Sequence, residues 1–314
     1  MSTQHNTITG LDIGTAGVTA LMAECSADQS WTVIGVGRAP SCGLRRGVIV
    51  DLESTTAAIA RAVSDAEMMA GVSSGPIHAN IGGDHIKSVN SRGVVAVARH
   101  ADRIGVEDVE RVLQAARAVP VPSDREVLHV LPQEFLVDDQ GGIKDPVGMK
   151  GARLEVSVHI VTASALAVGN IQHCVSNAGY ELESLTLSSL AAAEGTLTRR
   201  ERDMGVALVD VGAALTEIVV ITDNAVRHTG AVPLGGRHIT NDLAIGLRTP
   251  VEQAESLKSG APWDEADPDE TVMVNGVGDQ PHREVSRRVI AAIVGPRLEE
   301  IFQLAKGEIR RTPG

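Results

Sequence analysis

The feature that most constrains the fold of this chain is a short pattern that occurs twice, once near the N-terminus and once in the second half. Residues 8–15 and 206–213 each form an apolar stretch that ends in Asp, an apolar residue, Gly and a small residue. A second apolar, β-branched run follows each copy. Because such runs on either side of a Gly-containing turn are typical of paired strands, each copy predicts a β-hairpin.

The Asp and the Gly of each copy suggest what the hairpins could bind. Asp12 and Asp210 would end buried strands, where a carboxylate is costly unless it is paired. Gly14 and Gly212 would permit a tight turn and close approach of a ligand to the backbone. Two such turns that face each other would offer backbone amides to phosphates and a carboxylate to hydrated Mg²⁺. The competing interpretation is a pair of ordinary hairpins, in which each Asp makes a local turn hydrogen bond.

The order of predicted elements divides the chain into four segments. Residues 1–83 have a β-β-β-α-β order, in which Asp51 caps a helix that ends near Ala70. Residues 84–161 have their own β-α-β-β order and predict a small subdomain inserted into the first domain. Residues 162–204 complete the first domain, and residues 205–314 form the second domain. The mixture of strands and helices predicts an α/β fold.

Periodicity makes specific predictions for two further segments. Residues 154–161 alternate apolar and polar side chains, which predicts a strand with one solvated face. Residues 284–310 are helical in pattern but interrupted at Gly295-Pro296, where proline removes a backbone donor. Because acids lie among the bases and the apolar stripe is broken, this segment favours core packing over binding at a membrane surface.

Composition excludes several functional classes. Lys and Arg number 28 against 40 Asp and Glu, a formal charge of -12 that repels a phosphate backbone. Only 2% of the residues are aromatic, too few for a base-stacking surface, so nucleic acid is an unfavourable partner. No apolar run of about 18 residues predicts a membrane span. Three scattered cysteines, at positions 25, 42 and 174, fit a reducing, cytoplasmic environment.

Further motifs, together with the two hairpins, make the chain resemble the FtsA family of bacterial cell-division proteins, in the actin/Hsp70/sugar-kinase superfamily. The resemblance runs from about residue 7 to the last residues. Its motifs are residues 41–47, 51–54, 127–135, 144–149, 235–244, 249–250 and 254–258. Residues 129–135 and the inserted subdomain distinguish this family from actin, Hsp70 and MreB, which carry other insertions.

The resemblance implies a two-domain actin-like fold with RNase H-like mixed sheets and a β-α-β-β subdomain inserted in the first domain. It implies a scaffold of the septal ring, peripheral on the cytoplasmic face of the inner membrane. The family binds ATP, polymerises into actin-like filaments and tethers FtsZ to the membrane, and we expect at most weak ATPase activity. Other divisome proteins would bind through the inserted subdomain.

The resemblance also assigns a nucleotide site built from two phosphate turns, two glycines on the phosphate side and an ion pair beside the nucleoside. These positions are Asp12, Gly14 and Thr15, Asp210 and Gly212, Gly235 and Gly236, and Glu255 and Lys258. Asp12 and Asp210 would hold Mg²⁺ through water. The spacing of Glu255 and Lys258 places both on one helix face, and the alternative for them is an exposed surface ion pair.

A second assigned site lies near the end of the chain. Arg297 and Glu300 match the positions that contact the C-terminal tail of FtsZ in the family. An arginine could pair with a carboxylate of that tail through charge-assisted hydrogen bonds. The alternative is a set of salt bridges at the surface, with Glu299 and Glu284 as the acids.

The chain departs from the family pattern in three places. Ala213 and Ala214 replace glycines of the second turn, and their Cβ atoms narrow the approach of a phosphate. Gly17 stands where the family often has Lys, which removes a positive charge from the phosphates. The family continues past the position of Gly314 into a strand, a Gly-Gly adenosine turn and an amphipathic membrane helix. We therefore expect weakened ATP binding and no membrane binding by these 314 residues alone.

Two other functions compete with a cell-division scaffold: an ATP-dependent kinase or ATPase on the same fold, and a relative used in pilus assembly. A kinase needs a catalytic Asp in a substrate cleft between the domains, and the sequence has no evident separate motif of that kind. Residues 131–134, in the inserted subdomain, favour division over pilus assembly because they carry the nearest resemblance.

Overall fold

The computed structural model describes residues 7–26, 28, 30–97, 103–260, 270–278 and 281–312. In chain order, its strands and helices are β1 (Thr7–Ile13), β2 (Gly17–Cys25), β3 (Trp31–Pro40), β4 (Leu44–Arg45), β5 (Val48–Ile49), α1 (Leu52–Ala70), β6 (Ile77–Ile81), β7 (Lys87–Ala96), α2 (Val106–Arg117), β8 (Arg125–Val137), β9 (Gln140–Ile143), β10 (Arg153–Ser164), α3 (Ala165–Asn177), β11 (Leu182–Leu187), α4 (Ser188–Thr196), α5 (Arg199–Met204), β12 (Val206–Val211), β13 (Thr216–Thr222), β14 (Ala225–Val232), α6 (Gly236–Gly246), α7 (Val251–Ser259), β15 (Thr271–Val274), β16 (Arg283–Ser286) and α8 (Arg287–Ile309).

The sheet of the first domain has the strand order β11-β6-β1-β2-β3. β1 pairs antiparallel with β2 and parallel with β6, so the first hairpin lies at its centre. One face packs on α1, which buries Ile59 and Val63 completely. The predicted helix is confirmed: Asp51 accepts a hydrogen bond from the Ser54 amide at 3.1 Å, and Gly71 ends the helix with a φ of 72°.

The sheet of the second domain repeats the hairpin of the first. Its strand order is β12-β13-β14, and Asp210 on β12 lies opposite Glu217 on β13. Ile218 faces α8 on one side of the sheet, whereas Val219 faces α4 on the other. The second predicted hairpin is thereby confirmed, and each of the two sequence repeats opens a mixed α/β domain.

The inserted segment forms a sheet of its own, in the order β7-β10-β8-β9, with α2 packed on it. Val112 and Ala116 of α2 and Val156 and Val158 of β10 are fully buried in this separate core. The predicted β-α-β-β order is confirmed, with the short strand β9 as an addition. The strands of this sheet start at Lys87 and end at Ser164, and the limits 84–161 remain a prediction.

The prediction of a solvated face on residues 154–161 is wrong. Glu155 is only 5% exposed and His159 only 2% exposed, although both belong to the polar half of the alternation. β10 is a central strand with β7 on one side and β8 on the other. Glu155 forms ion pairs with Arg92 and Arg153, and His159 is covered by β14 of the second domain. The polar face is therefore covered by the neighbouring Arg153 and by two residues from distant parts of the sequence, Arg92 and Thr229.

The contact between the inserted sheet and β14 is polar. His159 lies between Asn90 Oδ1, at 2.6 Å from its Nδ1, and Thr229 Oγ1, at 2.9 Å from its Nε2. Ser88 Oγ donates to the Thr229 carbonyl at 3.1 Å, and Gln133 Nε2 donates to the Val226 carbonyl at 2.8 Å. Side chains of the insert thus satisfy carbonyl groups along an edge strand of the second domain.

The predicted interruption at Gly295-Pro296 is also wrong, because α8 continues through Pro296. The predicted helical start is wrong as well: Arg283–Ser286 is a strand that pairs with β15. The packing of Ile290, Val294 and Ile301 in one apolar core stabilises one continuous helix, despite the hydrogen bond that proline removes. This confirms the prediction of core packing. Among the described residues, no helix is long and apolar enough to cross a membrane.

Candidate functional site

The two hairpin turns close in the same way. The Gly14 amide donates to the Gly17 carbonyl at 3.0 Å, and the Gly212 amide donates to the Leu215 carbonyl at 2.9 Å. A Cβ atom on Gly14 or Gly212 would lie 3.0 or 3.1 Å from that carbonyl oxygen, tighter than most real Cβ contacts. The turns therefore favour glycine at these two positions because the backbone approaches itself closely.

Each turn leaves backbone amides free. Within the part of the chain that the structure describes, the amides of Thr15, Ala16, Ala213 and Ala214 have no hydrogen-bond acceptor. Unpaired successive amides in a turn are suited to binding an anion. Ala214 and Leu215 are buried, at 9% and 7% exposure, so their side chains pack into the second domain and do not stand free at the turn.

The N-terminus of α6 lies directly against the second turn. The amides of Gly236 and Arg237 donate to the carbonyl groups of Gly212 and Ala213, at 2.9 and 2.7 Å. A Cβ on Gly235 would lie 2.4 Å from the Gly212 oxygen, so only glycine fits there without a shift. The structure thus brings Gly235 and Gly236 to the second turn.

Arg237 connects this helix to the first domain. Its Nη2 atom donates to the carbonyl oxygen of Thr15, in the first turn, at 3.1 Å. The two turns and the start of α6 therefore meet at one place between the domains. Sequence reasoning did not assign Arg237 to the site. The available signal was its position directly after the Gly235-Gly236 pair.

Asp12 is held by Asn80, a residue that sequence reasoning did not assign to the site. Asn80 Nδ2 donates to Asp12 Oδ1 at 2.5 Å, and Asn80 Oδ1 accepts from the Ile13 amide at 2.7 Å. Burial raises the pKa of the Asp12 carboxyl, the Asn80 hydrogen bond opposes this, and the charge of Asp210 raises the pKa further. Asp12 and Asp210 are therefore close enough to repel each other across the cleft.

Glu217 is the third acid of this cleft. Burial, together with the charges of Asp210 and Asp12, raises the pKa of Glu217 to about 7. Its carboxylate approaches the first domain so closely that a Cβ on Gly82 would lie 2.6 Å from Glu217 Oε1. It also lines a cavity of about 180 Å³ between the domains. No cation lies within ion-pair distance of Glu217 among the residues described.

These acids suit a hydrated cation better than a directly bound one. In the described ranges, no group of three or more His, Cys, Asp or Glu side chains converges closely enough to hold a metal ion directly. Mg²⁺ usually keeps several waters and binds through one or two carboxylates plus phosphate oxygens. A cation held through water would offset the repulsion between the Asp12 carboxylate and the charge of Asp210, so these two acids fit Mg²⁺ bound in that way.

Glu255 and Lys258 lie on α7 against the start of α6. Lys258 Nζ is 2.6 Å from Glu255 Oε1 and 3.2 Å from Thr240 Oγ1, and Thr240 Oγ1 donates to Glu255 Oε2 at 2.5 Å. Burial by itself would raise the pKa of Glu255, but the hydrogen bonds from Lys258 and Thr240 lower it. Because Lys258 also reaches the Gly236 carbonyl at 3.5 Å, the pair belongs to the same region as the turns.

Arg297 and Glu300 form a separate group on α8. Arg297 makes a bidentate contact with Asp242 of α6, at 2.7 and 3.2 Å, and Arg297 Nη1 lies 2.5 Å from Glu300 Oε2. The hydrogen bond to Asp242 is the main cause that raises the pKa of Arg297. The alternative interpretation, a set of surface salt bridges, named Glu299 and Glu284 as the acids; Arg297 does form ion pairs, but with Asp242 and Glu300, because the packing of α8 on α6 brings Asp242 close.

Comparison with family models and known proteins gives a consistent result. Residues 83–162 match the model described as "SHS2 domain inserted in FTSA", and residues 207–312 match "Cell division protein FtsA". The chain is 45% identical to the cell division protein FtsA of Pseudomonas aeruginosa, over 97% of its own length and 73% of the relative. It is 37% identical to that of Escherichia coli K12, over 98% of its own length and 74% of the relative.

Solved structures support the fold. The PilM-PilN type IV pilus biogenesis complex matches with a TM-score of 0.66 at 16% identity, over 98% of this chain and 79% of that chain. MreB 5 of Spiroplasma citri bound to AMPPNP matches with a TM-score of 0.57 at 14% identity, over 98% and 80%. At these identities the matches show an actin-like fold and nothing about function, whereas the sequence matches distinguish the chain from pilus proteins. With 37% identity or more to these FtsA proteins over nearly its whole length, the chain belongs to the FtsA family of cell division proteins.

Proposed function

We propose that this protein is a nucleotide-binding scaffold of the division septum. It binds ATP between its two domains, assembles into actin-like filaments and links FtsZ to the cytoplasmic face of the inner membrane. The observation that carries the nucleotide part is the meeting of two equivalent turns, with free amides at Thr15, Ala16, Ala213 and Ala214, at the start of α6.

The residues of the cleft divide into three groups by their chemistry. The free amides of the two turns would bind phosphate oxygens, because they are donors without an acceptor. Asp12 and Asp210 would hold Mg²⁺ through water, and the ion would neutralise the phosphates and the facing acids. Glu255 and Lys258 would flank the nucleoside.

Weak hydrolysis fits this cleft better than efficient catalysis. Hydrolysis requires contacts that are tighter in the transition state than in the ground state. Ala213, in place of glycine, leaves its methyl group partly exposed at the second turn. We therefore infer a scaffold that binds ATP and turns it over slowly at most, in preference to a kinase.

The FtsZ part of the proposal rests on Arg297 and Glu300. Arg297 is 27% exposed and holds two carboxylates, Asp242 and Glu300. An acidic tail carboxylate could replace Glu300, whose side chain is 50% exposed, while Asp242 keeps the guanidinium in place. Other divisome proteins would bind through the inserted sheet. The amphipathic C-terminal helix of the family would supply the membrane contact.

The first experiment measures Mg·ATP binding by isothermal titration calorimetry on the wild-type chain and the Asp12→Asn and Asp210→Asn variants. We expect wild-type binding and a loss of at least about tenfold in each variant if Mg²⁺ is held by these acids. Glu183→Gln, which removes an exposed acid on β11, is the matched control. Absence of any heat with the wild-type chain would contradict the nucleotide function.

The second experiment measures binding of an FtsZ C-terminal tail peptide by fluorescence anisotropy. We expect Arg297→Ala to weaken binding and Arg199→Ala to leave it unchanged. Arg199 is a suitable control because its side chain is 91% exposed and, among the described residues, forms an ion pair only within its own helix, at 3.9 Å from Asp203. Equal affinity of the wild-type and Arg297→Ala proteins would exclude this site. A thermal unfolding scan of Arg297→Ala shows whether the variant has lost packing between α6 and α8, so that this effect is distinguished from a loss of peptide binding.

A further inference from the structure

Arg237 stands at the one point where both turns and α6 meet. Its backbone amide donates to the Ala213 carbonyl at 2.7 Å, and its Nη2 atom donates to the Thr15 carbonyl at 3.1 Å. The residue belongs to the second domain, whereas Thr15 belongs to the first. A single side chain therefore spans the cleft in which the phosphates of a bound nucleotide would lie.

Arg237 lies near other charged groups but has no ion-pair partner among the described residues. Neither turn carries a basic residue, since their sequences are Gly-Thr-Ala-Gly at 14–17 and Gly-Ala-Ala-Leu at 212–215. The other basic residue at this place, Lys258, is already paired with Glu255 at 2.6 Å. Arg237 forms no ion pair with any residue that the structure describes, although it is close enough to Glu255 to act on that carboxylate electrostatically. Within the described residues, the hydrogen-bond partner of its side chain is the neutral carbonyl group of Thr15.

A guanidinium whose hydrogen-bond partner is a neutral carbonyl group can form stronger hydrogen bonds with an anion. Arginine binds phosphate through two parallel, charge-assisted hydrogen bonds, which are roughly twice as strong as neutral ones. The free amides of Thr15 and Ala213 lie in the same two turns that Arg237 joins. Asp12, Asp210 and Glu217 also place excess negative charge in the cleft, which an anionic ligand needs cations to overcome.

We propose that Arg237 binds the outer phosphates of the nucleotide. In this structure its guanidinium bonds to the Thr15 carbonyl, and on binding of a nucleoside triphosphate it exchanges this carbonyl for phosphate oxygens between the two turns. The inference rests on the proposed nucleotide function and adds a specificity to it. The affinity of the protein for a nucleotide should depend on the number of its phosphates, and the Arg237 side chain should be the cause of this dependence.

The experiment compares Mg·ATP, Mg·ADP and AMP by isothermal titration calorimetry. The proteins are the wild-type chain and the Arg237→Gln, Arg237→Lys and Arg199→Gln variants. We expect Arg237→Gln to weaken ATP binding about tenfold or more, ADP binding less, and AMP binding hardly at all. Arg237→Lys should recover part of the ATP affinity, because it keeps the charge and loses the bidentate geometry. Arg199→Gln controls for the loss of an exposed positive charge.

Three outcomes separate the possible failures. Unchanged ATP affinity in Arg237→Gln, with normal wild-type binding, would overturn this inference and leave the nucleotide function intact. Equal losses for ATP, ADP and AMP would also overturn it, because they indicate a general change of the cleft. A wild-type chain that binds none of the three ligands would contradict the proposed nucleotide function itself. Thermal unfolding of each variant shows whether it is folded, and Arg237→Lys keeps the comparison possible if Arg237→Gln is not.

Discussion

At the scale of single residues, the cleft concentrates negative charge that the protein alone does not balance. Glu217 is the clearest case, because it is buried near the charges of Asp210 and Asp12 and no cation among the described residues lies within ion-pair distance of it, although Lys87 and Arg311 line the same cavity. Removing a buried charge from water costs free energy unless a partner compensates it. The unliganded protein therefore carries an internal destabilisation at this place.

We predict that Glu217→Gln stabilises the protein without nucleotide. Burial raises the pKa of Glu217 to about 7 from 4.5, so the folded state binds more protons than the unfolded chain between these values. Wild-type stability is therefore lost as pH rises through this range, and the advantage of the variant should grow up to about pH 7. Thermal midpoints at pH 5 and pH 8 test this, with Glu183→Gln as the exposed control. Equal midpoints of the wild-type and Glu217→Gln proteins at pH 8 would contradict it.

A second residue-scale prediction concerns the two glycines at the start of α6. Gly235→Ala places a Cβ 2.4 Å from a backbone oxygen, whereas Gly236→Ala places one 3.2 Å from the flexible end of Lys258. We expect Gly235→Ala to destabilise the second domain by about 1–3 kcal/mol, as overpacked sites do. Gly236→Ala should cost less. Chemical denaturation of both variants tests this, and a Gly236→Ala loss as large as that of Gly235→Ala would refute the expectation.

At the scale of secondary-structure elements, the insert and the second domain are joined through β10 and β14. His159 is the centre of this contact, and its hydrogen bonds to Asn90 and Thr229 connect three strands. Burial, with a smaller effect of the charge on His228, lowers the pKa of His159 to about 4. The imidazole is therefore neutral at physiological pH.

This contact predicts acid sensitivity. The folded state binds fewer protons at His159 than the unfolded chain between about pH 4 and the usual histidine value of 6.5, so stability falls as pH falls through this range. We expect this one site to account for up to about 3 kcal/mol of the loss. His159→Gln should show a shallower decline from pH 7 to pH 4.5 by chemical denaturation. The exposed His282→Gln is the control, and identical pH profiles for all three proteins would sink the prediction.

At the scale of the whole molecule, function depends on two domains that meet around one cleft. The turns belong to different domains, and at this cleft Arg237 and Glu217 of the second domain both reach the first. A ligand that binds both turns favours the closed, folded arrangement and stabilises it by mass action. Binding and slow turnover can therefore be measured separately.

We predict that Mg·ATP raises the thermal midpoint of the wild-type chain while phosphate release stays near background. Asp12→Asn should lose the thermal shift, because Asp12 and Asp210 are the acids proposed to hold the cation and lie close enough to interact electrostatically. A malachite-green assay over several hours measures release. Rapid release that Asp12→Asn abolishes would contradict the scaffold interpretation and favour an ATPase.

The sequence by itself determined the elements whose signals are local. The repeated Asp-apolar-Gly pattern gave both hairpins, and the cap at Asp51 with Gly71 gave α1, because these signals lie within a few residues of the structures they specify. Resemblance to a family assigned the nucleotide positions, and the structure places them around one cleft.

Only the tertiary structure decided which polar groups are buried and with whom they pair. Three contacts join residues far apart in the chain: His159 of β10 with Thr229, Arg237 with Thr15, and Arg297 with Asp242. The continuity of α8 through Pro296 likewise depends on its packing against other elements. The periodicity of a segment shows how its apolar and polar residues alternate, but it does not show which other element packs on either face. A solvated strand face and a buried one paired with another domain therefore have the same alternating sequence, and the partner surface decides between them.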